Sequence, residues 1–118
     1  MYRLPSDPKV DVIKRESLIQ VCFGANDLFL NFSGDISFGI YSCIGIGTSH
    51  QNVVKHYVFS EVSKELLQLL SAAVTDISWA TDGTISITFE GGSVIELYDD
   101  SEQFESYTIK TPSGLIVV

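Results

Sequence analysis

The 118-residue chain is 45% hydrophobic and 19% charged, enough apolar sequence for one buried core and too much for a disordered chain. Seven basic residues against fifteen acidic ones give a formal charge of -8, and from Asp76 to Glu105 there are eight carboxylates and no lysine or arginine. A surface of that sign repels phosphate backbones and anionic lipid, so direct nucleic-acid and membrane binding are not expected.

Residues 1–16 mix Pro5, Pro8 and both charge signs and read as an arm or edge element of a single domain spanning 1–118. The opening residues lack the continuous apolar run of a signal peptide, and Ile36 to Gly47 is too short and too rich in glycine to span a bilayer, so a cytoplasmic location is expected. Alternation starts at Leu18, where Ile19, Val21 and Phe23 fall on one face and Gln20 on the other. A turn at Gly24–Asp27 leads to a second inward row, Leu28, Leu30 and Phe32. Ser33–Asp35 reverses the chain again into Ile36, Phe38 and Ile40, completing a meander. Ser42 to Gly47 either extends the third strand or bends away from it. Gly39, Gly45 and Gly47 allow a bulge or a close backbone approach there, and their order fits neither a phosphate loop nor a dinucleotide fingerprint. Residues 49–59 read as a further strand or a covering loop. Cys22 and Cys43 both sit in strand-like sequence and are expected as reduced core residues.

One helix is expected over Ser60–Ala73, with Ser60 as N-cap and Glu61 and Glu65 at the positive end. Its apolar stripe runs through Val62, Leu66, Leu69 and Ala73 and is widened by Leu67 and Leu70, a width suited to lying on a sheet. Strands then return. Ile77 and Trp79 lead into the Asp82-Gly83 hairpin signal, Ile85, Ile87 and Phe89 alternate with polar residues, and Gly91-Gly92 turns the chain into Val94–Tyr98. A last hairpin through Pro112–Gly114 joins Thr108–Lys110 to Leu115–Val118. The expected fold is α+β, a twisted and mainly antiparallel sheet with one principal helix packed on a face and Leu69, Ile87 and Phe89 in the core. The pattern leaves open whether the sheet curls into a partial barrel.

Within Trp79–Val118 the Asp82-Gly83 hairpin, the Phe89-x-x-Gly92-x-x-Ile95-x-Leu97 stretch and the Phe104-Glu105-Ser106-Tyr107 block resemble the end of a loosely characterised family of small bacterial domains, some found beside toxin genes. Tyr107 and the short Leu115–Val118 tail depart from members that carry a tryptophan and a longer glycine-rich tail there. The resemblance covers about a third of the chain. It implies an immunity protein that neutralises a toxin, and it supplies no catalytic residue.

No constellation for catalysis, cofactor or metal stands out, and the chain does not read as an enzyme. His50 and His56 lack a metal-ligand motif, and Ser49-His50 lacks a nucleophile elbow. A pocket joining either histidine to a carboxylate would reopen small-molecule catalysis. The leading expectation is a binding protein that neutralises a basic toxin domain, such as a nuclease, by covering its active or substrate-binding surface. The candidate interface is Tyr98, Asp99, Asp100, Glu102, Glu105 and Tyr107, where carboxylates steer a basic partner and a tyrosine adds short-range affinity. The alternatives are an acidic surface that serves solubility alone, and a structural or regulatory homodimer paired through an exposed sheet edge.

Overall fold

The computed structural model describes residues 4–101 and 105–118. Among the described residues ten strands and one short helix follow in order: β1 (Leu18–Phe23), β2 (Leu28–Phe32), β3 (Ile36–Ile40), β4 (Ile44–Gly47), β5 (Val54–His56), α1 (Ser63–Gln68), β6 (Val74–Trp79), β7 (Ile85–Phe89), β8 (Val94–Leu97), β9 (Tyr107–Thr111) and β10 (Gly114–Val117). The architecture is α+β and antiparallel, as expected, but the strands divide between two five-stranded sheets, ordered β1-β2-β3-β9-β10 and β5-β4-β8-β7-β6. Neither sheet closes into a barrel.

The division follows from two links that cross between the sheets. The chain leaves β3 through Tyr41–Cys43 to enter β4, and it returns from β8 to β9 through residues 98–106. β3 pairs with β9 and β4 pairs with β8, so one long antiparallel ribbon bends across both sheets, with Tyr41 N–H bonded to the Ser106 carbonyl beside the bend. Inward rows from each sheet then meet face to face. Phe32 of β2 stacks on Phe89 of β7 with ring centroids 6.2 Å apart. Leu28, Leu30, Phe38 and Ile40 from the first sheet share a core with Ile44, Ile85, Ile87, Ile95 and Leu97 from the second. Burial of a Leu, Ile or Phe side chain is worth roughly 1.5–3 kcal/mol, so these rows hold the sheets together.

Val10 and Ile13 of the opening segment are also buried in this core, and the segment is tied down further by Trp79 Nε1–H donating to the Ser6 carbonyl at 3.1 Å.

Leu69, Ile87 and Phe89 are buried. The helix is shorter than its leucine-rich sequence suggests. A 3-10 turn, Phe59–Val62, precedes α1, and Ser71 adopts a left-handed φ of 73° that turns the chain out of the helix before Ala73. Val62, Leu66 and Leu69 pack on the core while Leu67 and Leu70 stay exposed, because so short an element turns only a narrow stripe inward. Ser60 is not a cap: it lies inside the 3-10 turn, and neither helical N-terminus receives a side-chain cap bond. β1 departs from strict alternation as well. A bulge between Leu18 and Gln20 turns Leu18 inward and leaves Ile19 in solvent. No helix among the described residues is long and apolar enough to cross a membrane.

Candidate protein interface

Of the carboxylates singled out from sequence, Asp99, Asp100 and Glu105 are described, all on the link from β8 to β9, and Asp100 is engaged within the molecule. The Asp100 carboxylate accepts a hydrogen bond from the Cys43 thiol at 3.2 Å and pairs with Lys55 at 3.5 Å. Burial, with the Asp100 carboxylate adding to it, pushes the Cys43 thiol up to about 11. The Lys55 ammonium also sits 4.2 Å from the Tyr98 ring centroid. Tyr98 donates its hydroxyl to Glu96 at 2.9 Å, and Glu96 accepts a second bond from Ser86 at 2.8 Å. Burial and the Glu96 carboxylate hold the Tyr98 hydroxyl well above the usual tyrosine range. The Tyr98 ring lies across Gly45, where a side chain would collide with its hydroxyl. The Lys55, Tyr98 and Asp100 cluster therefore braces the outer face of the second sheet.

Tyr107 does not belong to a surface. It is wholly buried, and its hydroxyl donates to the Gly83 carbonyl at 2.6 Å, pinning β9 of one sheet to the β6–β7 hairpin of the other. Asp99 is half-buried beside Gly83, Glu105 is exposed, and Glu102 lies outside the described residues. The structure thus joins Tyr98 to Asp100 through Lys55 and places Asp99 with Tyr107 at Gly83. Each histidine has one side-chain partner among the described residues. His50 Nε2 lies 3.0 Å from the Thr88 hydroxyl, which anchors the 3-10 turn His50–Asn52 over β7, and His56 Nδ1 lies 3.3 Å from an exposed Glu61 carboxylate. Among the described residues no group of three or more histidine, cysteine or acidic side chains is placed to hold a metal ion.

A different surface gathers four of the exposed apolar side chains. Ten large hydrophobic residues are exposed among the described residues, and Phe23, Tyr41, Tyr57 and Val58 line one groove of about 340 Å³. Three remote segments build it. The β1–β2 turn supplies Gly24, Ala25 and Asn26 and is closed by Gly24 N–H donating to the Asp27 carbonyl at 2.9 Å. Tyr41 follows β3, with its N–H on the Ser106 carbonyl at 3.0 Å and its ring edge-on to Phe29 at 6.1 Å. Residues 57–60 come from the connection between β5 and α1, with Phe59 buried beneath and Tyr57 the most exposed of the ten, at 67%.

No lysine or arginine lines the groove. Asp27 and Glu61 are next in sequence to lining residues, and Glu61 faces His56 at 3.3 Å. The sequence reading missed this site because it assigned Phe23 to an inward face and left 49–59 as strand or loop. The available signal was an excess: Val53, Val54, Tyr57, Val58 and Phe59 are more apolar residues than one face of a short strand can bury.

Over residues 10–118 the sequence matches a family of unknown function, DUF6188. The chain belongs to that family. The match corrects the resemblance drawn from Trp79–Val118: it starts at Val10 and takes in both sheets and α1, so family membership rests on nearly the whole DUF6188 chain and the toxin-linked family is not retained. No curated protein and no solved structure matches the chain.

Proposed function

We propose that this DUF6188 protein is a binding protein whose groove takes a basic segment of a partner protein carrying one large apolar side chain. The observation that supports this reading is the concentration of Phe23, Tyr41, Tyr57 and Val58 in one concave, cation-free site on a chain of charge -8. Aromatic side chains combine apolar area with hydrogen-bonding hydroxyls and lose little rotamer freedom on binding, which is why they dominate binding hot spots. The chain's net charge of -8 raises the encounter rate with a basic partner, an effect that salt screens. Compared with the Asp100 cluster, the groove offers side chains that are less committed to internal contacts. Neutralising a basic toxin domain by covering its active surface is one use of such binding, tested by assaying that domain's activity in the complex.

The test is a peptide array in which lysine and arginine content and a single leucine or phenylalanine anchor vary independently. Retention is expected only where basic charge and anchor coincide, and the double substitution Tyr41→Ala, Tyr57→Ala is expected to abolish it without shifting the unfolding midpoint. Retention that follows charge alone and survives that substitution defeats the groove reading.

A further inference from the structure

We propose that β1 pairs with β1 of a second copy of this chain, antiparallel about a two-fold axis, with Cys22 facing Cys22 across it. This inference is independent of the groove's ligand and concerns the strand's backbone edge.

β1 is an edge strand, hydrogen-bonded to β2 on one side only. On its other side the start of the strand is covered: Leu18 N–H donates to the Ala72 carbonyl at 3.1 Å, and Ser71 N–H donates to the Leu18 carbonyl at 2.7 Å. Beyond the bulge the edge is open. The direction of the remaining groups follows from the hairpin. Gly24 N–H bonds the Asp27 carbonyl, so Gly24 turns toward β2, and with it Cys22 and Gln20, which stand opposite Phe29 and Asn31 in the same register. Val21 and Phe23 therefore present their N–H and C=O groups outward.

An edge with unpaired backbone groups and no charge is a template for another strand. From Leu18 to Phe23 there is no charged residue and no proline, and Ile19, Gln20 and Phe23 are exposed. The other sheet edges lack this combination. β5 carries Lys55 and His56, and β6 carries Asp76, paired with Lys14. β10 is uncharged, but the cavity beside it is walled by Pro5, Asp7, Pro8 and Lys9.

Charge also decides between occupants. A basic partner would find no carboxylate on β1, whereas two copies of a chain of charge -8 meet there without opposing like charges. The register is self-complementary too. Setting Val21 opposite Phe23 of the other copy, and the reverse, lets both outward residues exchange their two backbone bonds. Cys22 then sits opposite its own copy at a non-hydrogen-bonded position, where Cα atoms approach to about 4.5 Å, within disulfide reach. Both copies use the same strand, as a two-fold interface requires. Cys22 is a free thiol and half-buried, while Cys43 is buried and away from this edge.

Sedimentation velocity of the full chain at rising concentration is expected to show a species of twice the 13.0 kDa chain mass. Diamide, which takes up the two hydrogens of a thiol pair, is expected to link that species covalently in the wild type and not in Cys22→Ser. Cys22→Lys places two cations against each other on the axis, and Val21→Pro removes an outward N–H that β2 does not use; each is expected to return the protein to monomer. Circular dichroism checks the fold of both variants, so that one of them suffices if the other unfolds. A monomer at every concentration, a dimer that persists in the folded variants, or a dimer that diamide leaves unlinked overturns the pairing.

Discussion

Replacing Tyr107 by phenylalanine removes one oxygen and leaves the ring in place, which makes it a clean probe of the link between the two sheets. The hydroxyl donates to the Gly83 carbonyl at 2.6 Å, and both residues are buried, so the truncated protein must keep that acceptor away from water without its donor. An unsatisfied buried group of this kind costs about 1–3 kcal/mol. For a domain of this size each kcal/mol lowers the unfolding midpoint by roughly 4 °C, so a fall of about 4–12 °C is expected. Urea titration at constant m-value is the check, because it separates lost stability from a changed unfolded state. A loss below about 0.5 kcal/mol, the range of ordinary surface substitutions, would refute the assignment of Tyr107 as a buried cross-sheet pin. Peptide binding by folded Tyr107→Phe should be unchanged.

Phe89→Ala removes the ring stacked on Phe32 and is expected to cost about 3–5 kcal/mol in urea unfolding; a cost like that of a surface residue would contradict the face-to-face packing of the sheets. Cys43 is protonated at neutral pH, since burial and Asp100 push its thiol up to about 11, so iodoacetamide should modify Cys22 in the native protein and spare Cys43 until it unfolds. Because the folded value lies above the ordinary thiol value of 9.0, this group's contribution to stability is complete below about pH 9 and declines as pH rises toward 11. In Cys43→Ala, urea unfolding should lose that part of the alkaline decline.

The later strands were legible because their signals are local. Asp82-Gly83 specifies a turn in which Gly83 takes a φ of 89°, and Ile85, Ile87 and Phe89 alternate with residues that the sheet leaves partly exposed. Ile19 of β1 was misread because a bulge there slips the alternation by one, while Val21 packs on the core; a bulge has no signature in so short an apolar run. The helix was overextended because leucine spacing continues past Gln68, while the left-handed Ser71 that ends it is set by the bonds that it and Ala72 make to Leu18. Periodicity reports which face a residue shares and not which strand lies beside it, so the division into two sheets was hidden. The same limit governed the site. Asp100 stands 57 residues from Cys43, and the groove gathers Phe23, Tyr41 and Tyr57 from three separate connections.

The central claim is that the aromatic groove, and not the acidic link around Asp100, receives the partner. Backbone-amide NMR titration of the chain with an anchored basic peptide selected on the array tests it most directly. The largest shifts are expected at Gly24–Asn26, Tyr41–Ser42 and Tyr57–Ser60; shifts concentrated at Tyr98–Asp100 and Glu105, with the groove signals unmoved, would contradict it.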